Sequence, residues 1–230
     1  MIGHLQRELE KLKKRILALG ALAEARVGAA VKAVESLDEK TADWIVAADH
    51  EVDEEEVEVE EECLKLLALY QPVAVDLRFI AVVIKINNDL ERIADEAVNM
   101  ARRVRDIRRL AEAPESGRAK VFDVRRMGEA TLSMLEKSLD ALVHMDTDLA
   151  YKVLAMDDDV DEMYKDAFEA LTAAIRREPD RAGLWLNLLL AARHLERIGD
   201  HATNVAEEVI YLVQGQTIRH LDVKALHRLT

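Results

Sequence analysis

Two stretches of this chain carry the same short pattern of side chains that could bind a cation. Both read L-E-R-I-x-D, once from Leu90 and again from Leu195, and both have an asparagine four residues after the aspartate. On a helix, residues four apart lie one above the other on the same face. Each stretch therefore lines up three oxygen-bearing side chains: Glu91, Asp95 and Asn99 in the first, and Glu196, Asp200 and Asn204 in the second.

A second pair of carboxylates precedes each stretch at the same spacing, Asp49 and Asp53 before the first, and Asp157 and Asp161 before the second. Asp53 lies 19 residues before Pro72, and Glu91 lies 19 residues after it. If Pro72 marks a turn between antiparallel helices, these two carboxylates sit at about the same height, because both helices rise about 1.5 Å per residue. The second copy repeats this coincidence around Pro179 to within one residue.

The spacing predicts two acidic patches, which we call the first-repeat patch (Asp49, Asp53, Glu91, Asp95) and the second-repeat patch (Asp157, Asp161, Glu196, Asp200). Carboxylates this close repel one another unless a cation neutralises them. We therefore expect divalent or trivalent metal ions, with iron and zinc as the first candidates and magnesium, manganese, calcium and nickel open. Asn99, Asn204 and His194 are additional candidate ligands.

The elements that must position these residues are helices. Apolar residues at steps of three or four predict a first helix over 4–36, and capping signals at Ser36 and Asp38 predict a second over 38–69. Proline and cap positions then predict helices over 73–110, 119–144, 146–177 and from about 181 to 215. The predicted fold class is all-α, with six long helices.

The two halves of the chain repeat each other. At an offset of 108 residues Gly20 aligns with Gly128 and Asp38 with Asp146, and after the prolines the offset becomes 105. We predict two tandem three-helix bundles: a first repeat over 1–112, a linker over 113–118, a second repeat over 119–215 and a tail over 216–230.

Composition narrows the function classes. With 45 acidic and 32 basic residues the net charge is −13, which disfavours nucleic-acid binding, since that binding requires Lys and Arg. The single cysteine, Cys63, has no disulfide partner, and we expect it to be a small buried apolar residue. No apolar run approaches the roughly 20 residues that span a bilayer, so we expect a cytoplasmic protein.

Three interpretations of the carboxylates stay open at this point. A charged line on a helix is usually a solvated face, so the chain could be a helical adaptor that needs no metal. A metal-dependent phosphohydrolase is a second alternative, because Arg92 and Arg197 recur beside the carboxylates. The exact return of the pattern in both halves favours the third, a metal-binding protein. No histidine follows a glutamate by three residues, so a ferritin-like di-iron site is disfavoured.

Together these features resemble the PhoU family of phosphate-transport regulators: two three-helix units, each with D-x-x-V-D on its second helix and L-E-R-I-x-D on its third, and the turn from Pro72 to Arg78. The resemblance implies a cytoplasmic, non-enzymatic negative regulator with metal sites on the bundle surface. It also implies three partners: the ATPase subunit of the phosphate ABC transporter, the phosphate sensor histidine kinase, and a second copy of the chain in a homodimer. The second repeat departs from the family at Pro179–Gly183.

Overall fold

The computed structural model describes residues 2–111 and 121–218, and these residues confirm the all-α prediction, with no strand in either range. The first repeat contains α1 (Ile2–Ser36), α2 (Glu39–Ala47), α3 (His50–Tyr70) and α4 (Ala74–Leu110). The second repeat contains α5 (Val124–His144), α6 (Thr147–Arg177) and α7 (Ala182–Gln214), with a short 3₁₀ helix, Pro179–Arg181, before α7.

The apolar stripe predicted for the first helix is buried. Leu12, Ile16, Leu19, Ala23 and Val27 of α1 are all inaccessible to solvent and pack against α4 and α5. α4 and α7 pack against each other along their lengths and contribute the largest share of the core, so the two repeats share one continuous set of buried apolar residues. The carboxylate motifs lie on these two central helices.

The second predicted helix is interrupted. Two helices, α2 and α3, replace the single helix expected over 38–69, because the chain breaks at Ala48 and Asp49. The cap at its start is Asp38, whose carboxylate accepts from the backbone N–H groups of Lys40 and Thr41. The alternative cap, Ser36, is wrong: its hydroxyl donates back to the carbonyl of Lys32.

The fourth predicted helix begins later than residue 119. Phe122 and Asp123 are not helical, and the Asp123 carboxylate caps α5 by accepting from the backbone N–H of Arg126 at 3.0 Å. The predicted linker, 113–118, and most of the predicted tail, 219–230, lie outside the described residues. Gly215 ends α7 in the left-handed conformation, as its predicted position implies.

The predicted repeat is visible in the packing of α1 on α5. A β-carbon added at Gly20 would lie 2.8 Å from Leu139, and one added at Gly128 would lie 2.6 Å from Val31. The offset of 108 exchanges the two glycines and also exchanges Val31 with Leu139. Each glycine therefore admits an apolar side chain of the other repeat, and the two repeats are related by an approximate twofold axis.

The single cysteine lies in the core. Cys63 is buried and free, and burial, with the charges of Glu62 and Glu60, raises the pKa of its thiol to about 12. It is the small apolar core residue that was expected.

None of the helices in the described parts of the chain is both long enough and apolar enough to span a membrane.

Candidate metal centre

The first-repeat patch lies where α3 and α4 run side by side. Asp49 stands at the break before α3, and Asp53 follows one turn later. Glu91 and Asp95 face them from α4. All four are exposed or half-buried, whereas their neighbours Leu90, Ile93 and Ala94 are in the core. The carboxylates thus lie on the outer surface of the bundle, which is where the helical spacing predicts them.

The first-repeat carboxylates lie near enough to affect one another's ionisation. The pKa of Asp49 is raised by partial burial and by the charges of Asp53 and Asp95. Burial and the charges of Asp95, Glu56 and Asp53 raise the pKa of Glu91. Burial and the charges of Asp53 and Glu96 raise the pKa of Asp95. Asp53 and Asp95 therefore make nearby carboxylates of the patch harder to ionise, and a cation between them relieves this repulsion.

The second-repeat patch repeats the arrangement between α6 and α7. Burial raises the pKa of Asp157 to about 7, with further contributions from Asp161, Asp200, Asp158 and Glu196. Burial and the charge of Asp161 likewise raise the pKa of Asp200, against the opposing charges of Arg193, His201 and Arg197. Carboxylates of both helices thus act on one another, as the predicted height match around Pro179 requires.

Glu196 carries the clearest sign that the second-repeat patch suits a cation. Its Oε1 accepts from Arg193 at 2.5 Å, while its Oε2 is buried with no hydrogen-bond partner among the described residues. A buried carboxylate oxygen without a donor is costly unless a cation or water satisfies it. The donor set, carboxylate oxygens alone, is one that hard and borderline metal ions accept.

The side chains do not stand in ligating positions. Within residues 2–111 and 121–218, no group of three or more His, Cys, Asp or Glu side chains has the arrangement of a metal site. The residues fit a metal ion in type, charge and location, but binding requires their side chains to turn toward a common point. Their role as ligands accordingly stays a prediction.

The three additional candidate ligands each make another contact. The Asn99 carbonyl oxygen accepts from Arg102 at 3.1 Å, and the Asn204 amide donates to Asp89 at 3.0 Å. His194 uses Nδ1 to contact Glu96 at 2.6 Å, while its Nε2 is buried without a partner among the described residues. His194 thus belongs to the interface between α4 and α7 as well as to the neighbourhood of Glu196.

Residues that sequence reasoning missed form the polar part of that interface. Glu96 on α4 is 4% exposed, accepts from His194 and forms an ion pair with Arg197 at 2.9 Å. Asp89 accepts from His201 at 2.9 Å. The offset of 105 exchanges Asp89 with His194 and Glu96 with His201. An acid in one repeat thus faces a histidine in the other. The exchange of acid for histidine at aligned positions is visible in the sequence, and it could have indicated this contact.

Replacing Glu96 by glutamine tests the interface. We expect the free energy of unfolding at pH 7 to fall by about 1–2 kcal/mol, because a neutral amide accepts more weakly from His194 and loses the ion pair with Arg197. Urea denaturation measures this free energy of unfolding. The control is Glu129→Gln, since Glu129 pairs with Arg125 at an exposed site, and we expect a change below about 0.5 kcal/mol there.

The stability difference between the unmodified protein and Glu96→Gln should depend on pH in a direction that the pKa of Glu96 sets. Burial opposes ionisation of Glu96, but the hydrogen bond from His194 and the charges of His194 and Arg197 outweigh it, so its pKa is lowered. A lowered pKa in the folded state stabilises the fold above the ordinary glutamate pKa, and this contribution is lost as the pH falls through the lowered value. The difference between the two proteins should therefore shrink below about pH 4. Equal stability at pH 7 would contradict the assigned role.

Comparison with known proteins matches the chain to one family. The family description "PhoU domain" matches residues 16–104 and again 124–209. The chain is 42% identical over 214 residues to the phosphate-specific transport system accessory protein PhoU homolog of Pseudomonas aeruginosa, covering 93% of this chain and 87% of that protein. It is 30% identical over 227 residues to the Escherichia coli phosphate-specific transport system accessory protein PhoU, covering 99% and 92%.

Solved structures agree with the sequence comparison. The crystal structure of PhoU from Pseudomonas aeruginosa superposes with a TM-score of 0.86 at 40% identity, covering 92% of this chain and 99% of that one. The phosphate transport system regulatory protein PhoU from Streptococcus pneumoniae superposes with a TM-score of 0.83 at 26% identity, covering 93% and 98%. The similarity therefore extends over both repeats.

Proposed function

The chain belongs to the PhoU family, and from that membership we propose that it is a cytoplasmic, metal-binding negative regulator of inorganic phosphate uptake. Its curated relatives are named as accessory proteins of the phosphate-specific transport system. The proposed role is regulatory and not enzymatic. The protein acts with the ATPase subunit of the phosphate ABC transporter and with the phosphate sensor histidine kinase, as a homodimer.

The observation that carries the metal-binding part is that four carboxylates lie on two neighbouring helices in each repeat, and that one of their buried oxygens, Oε2 of Glu196, has no partner among the described residues. When bound, a cation supplies positive charge that removes the mutual repulsion of these groups. Because each patch draws on two helices, the carboxylates then tie α3 to α4 and α6 to α7. We propose that this tie stiffens the surface on which the partner proteins dock.

A phosphohydrolase fits the arginines less well. Such an enzyme needs cationic side chains beside the metal to hold the phosphate ester. Of the two recurring arginines, Arg197 instead forms an ion pair with Glu96 at 2.9 Å, at the interface between the repeats, while Arg92 is exposed next to Glu91. Arg193 donates to Glu196 itself. Arg197 and Arg193 already have acidic partners within the protein, so the recurring arginines do not form the same phosphate clamp in both repeats, which favours the regulatory proposal.

An apolar surface around the turn between α3 and α4 supports docking of another protein. Large apolar side chains that are at least 45% exposed cluster at this turn: Leu69, Val73, Val75 and Leu77. Val75 also lines a pocket of about 360 Å³ together with Phe79, Met145 and Val213. Exposed apolar clusters of this kind are typical of protein-binding surfaces. We assign this surface to the transporter ATPase subunit.

The neighbouring face of α3 is acidic, and this charge favours a protein partner over a nucleic acid or a lipid surface. Glu54, Glu58 and Glu61 are exposed on it, beside the apolar residues Val57 and Leu64. Such a face repels nucleic acids and anionic lipid surfaces, and it complements a protein surface that carries Lys or Arg around an apolar centre. A protein partner is therefore favoured.

Replacing Val73 by aspartate tests this assignment. Val73 is 74% exposed and directly precedes α4, where its side chain makes no capping hydrogen bond. An aspartate there places a negative charge at a helix N-terminus, which does not destabilise the fold. We expect the dissociation constant for the purified ATPase subunit of the same organism's phosphate transporter to rise at least about tenfold.

The matched control is Phe168→Asp, because Phe168 is 49% exposed on α6, in the other repeat. We expect it to bind as the unmodified protein does. Surface plasmon resonance measures both variants, and circular dichroism verifies that both remain folded. Equal binding by the Val73 variant would remove the turn from the docking surface, while absence of binding by the unmodified protein would overturn the proposed partnership.

A further inference from the structure

A buried arginine stands behind the first-repeat patch. Arg26 of α1 is 3% exposed, and its guanidinium donates to the carbonyl of Ala48, at 3.3 Å, and to the carboxylate of Glu51. Its guanidinium carbon also lies 4.2 Å from the centre of the Trp44 ring. These contacts hold the side chain at the break between α2 and α3, next to Asp49.

The charge of Arg26 is therefore a permanent part of the first-repeat patch. The guanidinium contacts Ala48, directly before Asp49, and Glu51, two residues after it. Arginine does not lose its proton in proteins, so this charge is present at every pH at which the chain is folded. A metal ion that binds Asp49 must approach against it.

The second repeat has an apolar residue at the equivalent place. The offset of 108 aligns Arg26 with Met134, which is fully buried on α5. A β-carbon added at Gly199 would lie 3.7 Å from Cε of Met134 and 3.7 Å from Oδ1 of Asp157. The methionine and the aspartate thus approach the same point of α7, and Asp157 has a methyl group where Asp49 has a nearby cation.

The remaining charges near the two patches differ in both directions. Arg102, which donates to Asn99 at 3.1 Å in the first repeat, aligns with Glu207 in the second. In the opposite direction, Asn88 aligns with Arg193, and the acids Glu56 and Glu96 align with Tyr164 and His201. These differences offset one another, so the contrast between the patches rests on the buried pair Arg26 and Met134.

We propose that the two patches are unequal metal sites: the second-repeat patch binds the cation more tightly, and Arg26 is the residue that weakens the first. This inference rests on the proposed metal binding and adds the rank of the two sites. Its physical basis is Coulomb's law, because a fixed positive charge near a divalent ion costs binding energy that a methionine does not. Arg26 acts as a tethered substitute for part of the metal charge.

Isothermal titration calorimetry, with Mn²⁺ titrated into the metal-free full-length protein, tests which patch binds the cation more tightly. We expect two classes of binding. Asp157→Asn with Asp161→Asn should remove the tighter class, and Asp49→Asn with Asp53→Asn should remove the weaker one. Each pair exchanges acids for amides of the same size at exposed or half-buried positions, so the fold is retained.

Arg26→Met tests the cause, because it copies into the first repeat the residue found in the second. We expect the weaker class to tighten by roughly tenfold and the tighter class to stay unchanged. Arg26→Lys keeps the charge and should leave both classes close to their original affinity. Met134→Leu controls for a buried substitution without change of charge and should also leave both classes unchanged.

The outcomes separate this inference from the proposal on which it rests. The order of the two affinities would be overturned if both patches bound Mn²⁺ equally. It would also be overturned if the Asp49 and Asp53 variant lost the tighter class. Either outcome would leave the proposal of metal binding intact. An unchanged weaker class in a folded Arg26→Met protein would overturn the role of Arg26. Should that variant fail to fold, the rank is still decided by the paired Asp→Asn variants. No heat of Mn²⁺ binding to the unmodified protein would overturn both proposals.

Discussion

Replacing Glu196 and Asp200 by alanine is expected to remove the metal of the second repeat and to leave the metal of the first. Both residues project from α7 into the second-repeat patch, and they supply half of its carboxylates. The remaining two, Asp157 and Asp161, come from one helix, so they can no longer hold an ion between α6 and α7. Inductively coupled plasma mass spectrometry of the purified protein measures the bound metal per chain.

The converse variant and a surface control complete this experiment. Alanine at Glu91 and Asp95 should remove the first-repeat metal alone. Alanine at Asp166 and Glu169, which are exposed on α6 further along the helix, changes the net charge by the same amount and should change nothing. Metal content that is unaffected by either patch variant would exclude these carboxylates as ligands. A loss that is equal in the control would attribute the effect to net charge.

The helices of this protein were predictable because their signals are local. Leu12, Ile16 and Leu19 repeat at helical spacing, and Pro72 and Pro179 separate helices as expected. The break at Ala48 was missed for the opposite reason: the sequence there has neither proline nor glycine. The carbonyl of Ala48 accepts from Arg26 on another helix, and the carbonyl of Ala47 accepts from the nearby His50. The contact with Arg26 is tertiary, and no local pattern encodes it.

The carboxylate patches were predictable because the repeat doubles a weak signal. A line of acids on one helix indicates little, but the return of the pattern around Pro179 pairs each line with acids on the preceding helix, and in the structure those two helices pack side by side. The role of these acids as ligands stays a prediction. The interface was not predicted, because Asp89 and Glu96 read as further members of an acidic helix. Only the packing of α4 on α7 shows that they face His201 and His194. Burial of such groups depends on contacts that are distant in the sequence.

Asp157→Asn is expected to stabilise the metal-free protein at pH 8 by about 1–3 kcal/mol, a range reduced from the full pKa shift because Asp157 is only partly buried. Burial and the neighbouring carboxylates raise the pKa of Asp157 to about 7 in the folded chain, against an ordinary value near 4 in the unfolded chain. Ionisation at pH 8 therefore costs the folded state free energy. Asparagine has nearly the same shape and no charge, so this cost disappears.

The pH dependence follows from the sign of the shift. A pKa raised in the folded state gives stability that is fully present below about pH 4 and is lost as the pH rises toward 7. The metal-free unmodified protein should lose stability across this range relative to Asp157→Asn, and the difference should level off above pH 7. Asp166→Asn, an exposed change on the same helix, is the control and should show no such divergence. Urea denaturation of chelator-treated protein at several pH values measures all three.

Adding metal should reverse the order of stability. A ligand that binds only the folded state stabilises it in proportion to the logarithm of its concentration over its dissociation constant. The unmodified protein keeps all four carboxylates of the second-repeat patch and should gain more from Mn²⁺ at pH 8 than Asp157→Asn does. If the variant is no more stable than the unmodified protein without metal, Asp157 does not carry the repulsion assigned to it. If both gain equally from Mn²⁺, Asp157 is not a ligand, and the repulsion in this patch serves some purpose other than holding a cation.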